Sequence, residues 1–309
     1  MFSISFSSKR YLSSACFLVA RNRFKYRFKL SDLRLYILVV LILIEVPKSN
    51  YTEQPLINPR QSVQMIANRL HLKLKDLKVP KYIFLSLSVG AIQPLIKETK
   101  AEEVVWIYRA RPLYVGNVSG NPVGIIWAAP GAPLATVVME DLIACGAKLF
   151  IGIGLLGAFQ PSINVGDYII PSWAVRDEGT SHHYLPENIK ARSSKKIIHA
   201  LQNSCEEFKV RYCIGPIWTT DAPYRETKST INFFQGKGIL GVDAESSAIF
   251  SLGIYRKVNI GCLLVASTNL THPRATLGLY TKSLEDAMLR AVRISTRALR
   301  RLASIKEPI

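Results

Sequence analysis

The amino-acid sequence predicts an α/β domain in which helices cover both faces of a mostly parallel or mixed β-sheet. Short apolar runs of strand length recur along the chain, and segments with helical spacing of apolar residues alternate with them. Such alternation is typical of sheets that are buried on both faces. The composition agrees, because 309 residues with 49% hydrophobic and 20% charged residues are typical of a globular protein and exclude extensive disorder.

The predicted strands are apolar runs bounded by glycine, proline or polar turn residues. A Ser119-Gly120-Asn121 turn separates two of them and indicates a hairpin. The predicted strands are Tyr82–Ser88, Val104–Tyr108, Leu113–Val118, Pro122–Ala128, Lys148–Ile153, Asp167–Pro171, Arg211–Thr219, Ile239–Val242 and Ile260–Ala266.

The predicted helices carry apolar residues at spacings of three and four. Ala132–Cys145 has this pattern and stops at Gly146, a common signal for the end of a helix. Further helices are predicted at Ser193–Phe208, from about Glu245, and at Leu284–Leu302. Gly154–Gly157 directly follows a predicted strand, and we expect it to be a sharp loop.

Residues 1–53 are predicted to be a basic N-terminal extension, and residues 54–309 the folded domain. Residues 1–60 hold ten Lys and Arg against three Asp and Glu, a large part of the net charge of +18. We favour a true start between about Tyr51 and Met65, and the alternative is an organellar transit peptide, which the acid-poor start resembles. The apolar run Leu35–Ile44 is about half as long as a membrane-spanning helix, so no membrane partner is expected.

Several classes of protein lose their usual support. No recognised nucleic-acid-binding module accompanies the basic charge, so we expect no nucleic-acid partner. The five cysteines form no CxxC pair, which indicates the reduced thiols of a cytoplasmic protein and no zinc site. The sequence contains no Walker loop, GxGxxG, HExxH or GxSxG motif. We therefore expect no cofactor and no metal.

Ligands of α/β sheets bind beyond the carboxyl ends of the strands. The polar or glycine-rich segments that follow predicted strands are therefore the first candidates for a site. They are Gly90, Gly154–Gly157, Asp221–Arg225, Asp243–Glu245 and Ser267–Asn269.

Six segments, in order, resemble motifs of the nucleoside phosphorylases of the uridine and hexameric purine type. They are Gly146–Pro161, Ile163–Ile170, Ala174–Tyr184, Thr219–Arg225, Gly238–Ser246 and Val265–Asn269. The resemblance extends over roughly Pro80 to Leu302. It implies a three-layer domain with a distorted mixed central sheet flanked by helices, assembled as a dimer-based homo-oligomer, possibly a hexamer. It also implies phosphorolysis, in which a ribonucleoside and the co-substrate phosphate give free base and ribose 1-phosphate.

The resemblance also assigns roles to residues. Glu245 stands where the family's glutamate accepts hydrogen bonds from the ribose hydroxyls, and Asp243 replaces a second acid of that motif. Arg109 stands where an arginine reaches into the site of the neighbouring subunit to hold phosphate. Gly90 and Gly154 match the two glycine segments near the phosphate.

Other phosphate positions depart from the family's pattern. Pro94 and Gly152 stand where arginines are expected, and Leu155 replaces a hydroxyl that bonds to phosphate. Arginine suits such positions because its guanidinium can hold an oxyanion by two hydrogen bonds. Substitutes could come from Arg111, Arg176 or Arg225.

The positions for the base depart as well. Purine enzymes of the family place an aspartate after a serine, whereas this chain has Ser267-Thr268, and threonine cannot protonate a purine. Pyrimidine enzymes place a glutamine and an arginine where Thr227 and Ser229 stand. Tyr224, Arg225 and His183 remain candidate substrate contacts.

These departures leave two alternatives open beside phosphorolysis. One is a non-catalytic homologue that binds a nucleoside-like ligand or partners an active paralogue. The other is a nucleosidase that uses water in place of phosphate, for which Glu98 is the nearby candidate base. The position of the usual base in nucleosidases is occupied by Pro94.

Overall fold

The central sheet has ten strands in the computed structural model, which describes residues 51–271 and 281–304. The strands are β1 (Tyr82–Ser86), β2 (Glu102–Val104), β3 (Leu113–Val118), β4 (Asn121–Trp127), β5 (Leu149–Ala158), β6 (Tyr168–Asp177), β7 (Ala191–Arg192), β8 (Tyr212–Thr220), β9 (Gly241–Asp243) and β10 (Asn259–Asn269).

The sheet is mixed and closes partly on itself. Its strand order is β10-β6-β8-β9-β5-β1-β4-β3-β2, and β7 pairs with β6. β10 also pairs with β5, in parallel, along most of its length. Because β10 pairs with both β5 and β6, five strands form a ring, and the antiparallel hairpin strands continue outward from β1.

Seven α-helices lie in the described part of the chain. They are α1 (Pro59–Arg69), α2 (Val89–Thr99), α3 (Ala132–Ala144), α4 (Lys195–Glu207), α5 (Lys228–Gln235), α6 (Ser246–Arg256) and α7 (Lys282–Ser304). Within those residues, no helix combines the length and the apolar character needed to cross a membrane.

Two cores on opposite faces of the sheet make three layers. Along β5, Phe150 packs with residues of α1, α3 and α6, whereas its neighbours Leu149 and Ile151 pack with residues of α2, α4 and α7. This alternation follows from the period of two in a strand. The predicted three-layer α/β domain with a distorted mixed sheet is therefore confirmed.

Two predictions of local structure are wrong. In the predicted strand Val104–Tyr108, only Val104 is in a strand, and Trp106 and Ile107 are buried in a loop instead. Gly154–Gly157 is no loop, because β5 continues to Ala158. The glycines serve close packing there, since a Cβ on Gly154 would lie 2.9 Å from the Leu87 Cβ.

Three helices, α1, α2 and α5, were not predicted from the sequence. For α1 the signal was present, because Asn58 and Gln61 form a capping box and Pro59 occupies the first turn. For α2 the signal was obscured by Gly90 in the first turn and Pro94 inside the helix.

Nearly all of the predicted extension, residues 1–53, lies outside the described residues, as do Leu35–Ile44 and Cys16.

Substituting Gly241 by alanine should destabilise the fold by about 1–3 kcal/mol, as overpacking does. A Cβ there would lie 2.6 Å from the backbone oxygen of Gly157, and a backbone atom cannot move aside cheaply. The measurement is urea unfolding. Gly179→Ala is the control, because its Cβ would meet nothing closer than 3.9 Å. Equal unfolding midpoints for the two variants would contradict the close packing of β5 against β9.

Candidate functional site

Glu245 connects the segments that follow β9 and β4. It is the residue before α6, and only 7% of its surface is exposed. Its Oε1 accepts a hydrogen bond of 2.6 Å from the N–H of Gly131, which precedes α3. The segments after β1 and β4 lie side by side, since Ala128 donates its N–H to the Ser86 oxygen. Glu245 therefore lies at the end of the sheet where β1 and β4 end.

Asp243, the last residue of β9, is fixed by two hydrogen bonds. Its Oδ1 accepts from the hydroxyl of Thr219 at 2.7 Å, and its Oδ2 accepts from the N–H of Ser246 at 3.0 Å. The Thr219 hydroxyl oxygen also accepts from the N–H of Ser247 at 3.0 Å. These bonds fix the turn between β9 and α6, and with it Glu245.

The two carboxyl groups have raised pKa values. Burial raises the pKa of Glu245, and the nearby carboxylate of Asp243 raises it further. Burial likewise raises the pKa of Asp243, against the lowering effect of its hydrogen bonds to Ser246 and Thr219. A buried carboxyl group of this kind can accept hydrogen bonds from ligand hydroxyls in a site with little competing water.

Ser267 and Thr268 are buried near the end of β10, and β5 lies between them and β9. Ser267 donates its hydroxyl to the Leu156 oxygen at 3.3 Å. Thr268 pairs with Gly157, which in turn pairs with Val242, the residue before Asp243. The structure thus places the candidates Asp243, Glu245 and Ser267 in one region of the sheet, on either side of β5.

Gly90 and Gly154 lie near a second part of the site, around the N-terminus of α2. The N–H of Gly90 donates to the Ser88 hydroxyl oxygen at 3.3 Å, and the N–H of Ala91 donates to the Ser88 carbonyl oxygen at 3.1 Å. Two amides of this glycine turn therefore have partners within the chain.

The side chains around Gly152 occupy the space that an arginine would need. A Cβ on Gly152 would lie 2.6 Å from the Cys262 Sγ and 3.1 Å from the Leu87 Cδ1. Pro94 stands inside α2. None of the three departing positions, Pro94, Gly152 and Leu155, supplies a hydrogen-bond donor from its side chain.

A cavity of about 540 Å³ opens between the start of α2, β5 and the first turns of α7. Its walls are mostly apolar and include one carboxylate. The lining residues are Ser88, Val89, Gly90, Pro94, Leu155, Leu284, Glu285, Met288 and Leu289.

Four of the candidate site residues lie away from the carboxyl pair of Asp243 and Glu245. Arg109 is exposed in a turn between β2 and β3, and Tyr224 and Arg225 are exposed in a short 3₁₀-helix after β8. His183 lines a different cavity of about 440 Å³, which Tyr184 and Arg256 also line.

Two alternatives considered from the sequence fit the structure poorly. The guanidinium of Arg176 donates to the backbone oxygens of Pro186, Leu185 and other loop residues, so its role is structural. Glu98 lies near the far end of α2, 3.8 Å from the guanidinium of Arg293. It cannot serve as the base of a nucleosidase next to Gly90.

Sequence reasoning missed Gly131, Thr219 and Ser246 as supports of the carboxyl pair. The Pro130-Gly131 dipeptide signals a turn, but its partner lies 114 positions away. Among the described residues, no group of three or more His, Cys, Asp or Glu side chains is placed to hold a metal ion.

A sequence model with the description "Phosphorylase superfamily" matches residues 81–302. The chain belongs to this superfamily. The match covers every strand of the sheet and every part of the candidate site, from the end of β1 to α7. The resemblance to nucleoside phosphorylases is thereby confirmed.

Proteins similar to this chain include phosphorylases that are named for a nucleoside. The uridine phosphorylase of Treponema pallidum is 27% identical over 249 residues, which are 77% of this chain and 95% of that protein. The guanosine phosphorylase of Halorubrum lacusprofundi is 23% identical over 66% of this chain and 85% of that protein. A crystal structure of the Vibrio fischeri uridine phosphorylase matches with a TM-score of 0.66 at 25% identity, covering 72% of this chain and 93% of that chain.

The raised pKa of Glu245 predicts a pH-dependent stability. A carboxyl group whose pKa is higher in the folded state makes the protein less stable as the pH rises from the ordinary glutamate pKa of about 4.3 to the raised value. Glu245→Gln removes this titration, so the variant should gain stability relative to the unaltered protein between pH 5 and pH 9. Chemical unfolding across that range measures the difference.

The control for this prediction is Glu102→Gln, which removes an exposed carboxylate on β2. We expect its stability to follow that of the unaltered protein at every pH. A Glu245→Gln curve parallel to that of the unaltered protein would show that Glu245 has an ordinary pKa.

Proposed function

We propose that this chain binds a ribonucleoside and cleaves its N-glycosidic bond, as a divergent nucleoside phosphorylase. The observation that carries the proposal is the buried carboxyl of Glu245, held by the Gly131 N–H at the end of β1 and β4. A ribose presents two neighbouring hydroxyls, and a fixed carboxylate can accept hydrogen bonds from both. Relatives named uridine and guanosine phosphorylase support the substrate class.

Glu245 would act on the transition state through the sugar. As the base departs, positive charge develops on the ribose. That charge favours the ionised form of Glu245, whose pKa is raised in the free protein, and the carboxylate then stabilises the transition state more than the bound nucleoside. Asp243 would keep Glu245 in place through the turn that Thr219 and Ser246 hold. The side chain of Thr268 offers no acid for the departing base, so the base would leave with a proton from another source.

The phosphorolytic form of this activity, with ribose 1-phosphate as product, needs donors for the anion. We propose that Arg109 supplies them across a subunit boundary of a homo-oligomer. The exposed turn that carries Arg109 supports this, because the side chain is free to extend beyond its own protomer.

A second candidate function is the binding of a nucleoside-like ligand without turnover. One observation favours it: Pro94, Gly152 and Leu155 replace the expected phosphate ligands, and Cys262 and Leu87 fill the space beside Gly152. Such a protein would keep the sugar site and lack the anion site.

Glu245→Gln should lower the rate of base release by about 10- to 100-fold, since hydrogen bonds to a charged group contribute roughly 1.5–3 kcal/mol. The measurement follows free base and ribose 1-phosphate from a panel of purine and pyrimidine ribonucleosides, with and without phosphate. Release that requires phosphate would establish phosphorolysis. Release without phosphate would indicate a nucleosidase, and binding without release would support the second candidate.

The same panel tests whether Glu245 is the sugar ligand. Glu102→Gln on the exposed strand β2 is the matched control, and we expect it to keep normal activity. Normal turnover or normal nucleoside binding by Glu245→Gln would contradict the assignment.

Arg109→Ala should raise the KM for phosphate by about tenfold or more and leave the KM for the nucleoside nearly unchanged. The reason is that the guanidinium would contact the anion and not the sugar. Steady-state kinetics at varied phosphate measure this, with Lys75→Ala, in the 3₁₀-helix before β1, as the control. An unchanged phosphate KM would exclude Arg109 from the anion site.

A further inference from the structure

A buried carboxylate connects the segment after β6 to the first turn of α6. Glu178, the residue that follows β6, is only 4% exposed. Its Oε1 accepts a hydrogen bond of 2.7 Å from the hydroxyl of Ser247, and its Oε2 accepts one of 2.8 Å from the N–H of Ser181. Ser247 is the second residue of α6 and is fully buried. Glu178 therefore joins two segments that follow different strands of the sheet.

Ser247 extends this connection to the carboxyl pair of Asp243 and Glu245. The N–H of Ser247 donates to the Thr219 hydroxyl oxygen at 3.0 Å, and the same hydroxyl donates to Asp243 Oδ1 at 2.7 Å. The carbonyl oxygen of Glu245 accepts from the N–H of Ile249 at 3.1 Å, in the same turn of helix. A shift of the first turn of α6 would therefore move Glu245 with it.

The segment that carries Glu178 is itself fixed on both sides. The indole N–H of Trp218 donates to Asp177 Oδ2 at 2.9 Å, and the N–H of Gly179 donates to Asp221 Oδ2 at 2.9 Å. Both neighbours of Glu178 are thus held against the end of β8 and the residue that follows it. Connected hydrogen bonds of this kind make a buried region rigid, so α6 is attached to a fixed point.

The first turn of α6 does not need Glu178 as a cap. The N–H groups of Ser246 and Ser247 already donate to Asp243 and Thr219. Glu178 binds the side chain of Ser247 instead of a backbone donor. Its hydrogen bond therefore adds orientation of the turn relative to β6, beyond what the helix requires to begin there.

We propose that Glu178 is a positioning residue that acts on Glu245 through Ser247. By binding the second residue of α6, it keeps the Glu245 carboxyl within reach of the Gly131 N–H and of the ribose hydroxyls. The part of this inference that concerns ribose rests on the proposed function. Side chains that bind a ligand need such support, because small displacements of a binding group are enough to weaken its contacts.

The variant that isolates this connection is Ser247→Ala. It removes the hydroxyl, leaves the N–H of the same residue free to donate to Thr219, and introduces a good helix former, so the protein should fold. Ser251→Ala is the matched control. Ser251 lies one turn further along α6 and is equally buried, and among the described residues its hydroxyl has no hydrogen-bond partner.

Glu178→Gln is the conservative variant at the other end of the connection. A glutamine amide can donate to the Ser247 hydroxyl oxygen while its carbonyl oxygen accepts from the N–H of Ser181, so both connections can be kept without the charge. This variant separates the position of the side chain from its charge.

Hydrogen–deuterium exchange at Gly131 tests the proposal without any ligand. The N–H of Gly131 donates to Glu245 Oε1, so its exchange reports whether Glu245 is held in place. We expect peptides that contain Gly131 to exchange about tenfold faster in Ser247→Ala, and at an unchanged rate in Ser251→Ala and Glu178→Gln. Unchanged exchange in Ser247→Ala, or equal acceleration in Ser251→Ala, would overturn the proposal.

Steady-state kinetics measure the consequence for turnover. We expect Ser247→Ala to lower kcat per folded molecule by about tenfold and to leave the KM for phosphate nearly unchanged, whereas Glu178→Gln and Ser251→Ala keep normal activity. A normal kcat in Ser247→Ala would contradict a positioning role. An equal loss in Glu178→Gln would contradict it too, because the effect would then come from the charge.

The two measurements separate this inference from the proposed function. If the unaltered protein cleaves no ribonucleoside, the proposed function fails, and the exchange rates at Gly131 still decide whether Glu178 and Ser247 hold Glu245 in place.

Discussion

The double pairing of β10 determines the rest of the structure. Because β10 is hydrogen-bonded to β5 on one side and to β6 on the other, the sheet curls into a ring, and β9 is held between β5 and β8. Because β10 occupies one edge of β5 from Leu149 to Ala158, β1 and then β9 pair with the other edge, and the end of β9 lies beyond the ends of β1 and β4. The hydrogen bond between Glu245 and Gly131 is possible only because these segments, far apart in sequence, meet there.

Burying the carboxyl groups of Asp243 and Glu245 costs free energy, and hydrogen bonds from the surrounding structure offset part of that cost. Burying Asp243 and Glu245 together raises the pKa of both groups and opposes their ionisation. The Thr219 hydroxyl and the N–H groups of Ser246 and Gly131 offset part of this cost. A buried carboxyl pair with raised pKa values is a candidate binding site, which is why the proposed function rests on Glu245.

The sequence predicts the three-layer fold and the position of Glu245 well, because both depend on short-range patterns. The hairpin β3–β4 and the helices α3, α4 and α7 follow from apolar periodicity and turn residues. The prediction of a loop at Gly154–Gly157 was wrong because glycine is common both in turns and in strands that pack closely against a neighbour. At Gly154 the neighbour is Leu87, which no local sequence pattern reveals. The bonds of Glu245 and Asp243 depend on long-range contacts that no local pattern contains.

The proposed sugar site and the expected phosphate site differ in how closely they follow the family's pattern. Glu245 and the backbone donor that holds it are present. On α2 and β5, by contrast, Pro94, Gly152 and Leu155 offer no side-chain donor where phosphate ligands are expected, and Cys262 and Leu87 fill the space beside Gly152. An arginine added at Gly152 alone would clash with β10 and with the end of β1, so a donor for the anion has to come from another element, which is why the proposed function relies on the exposed Arg109.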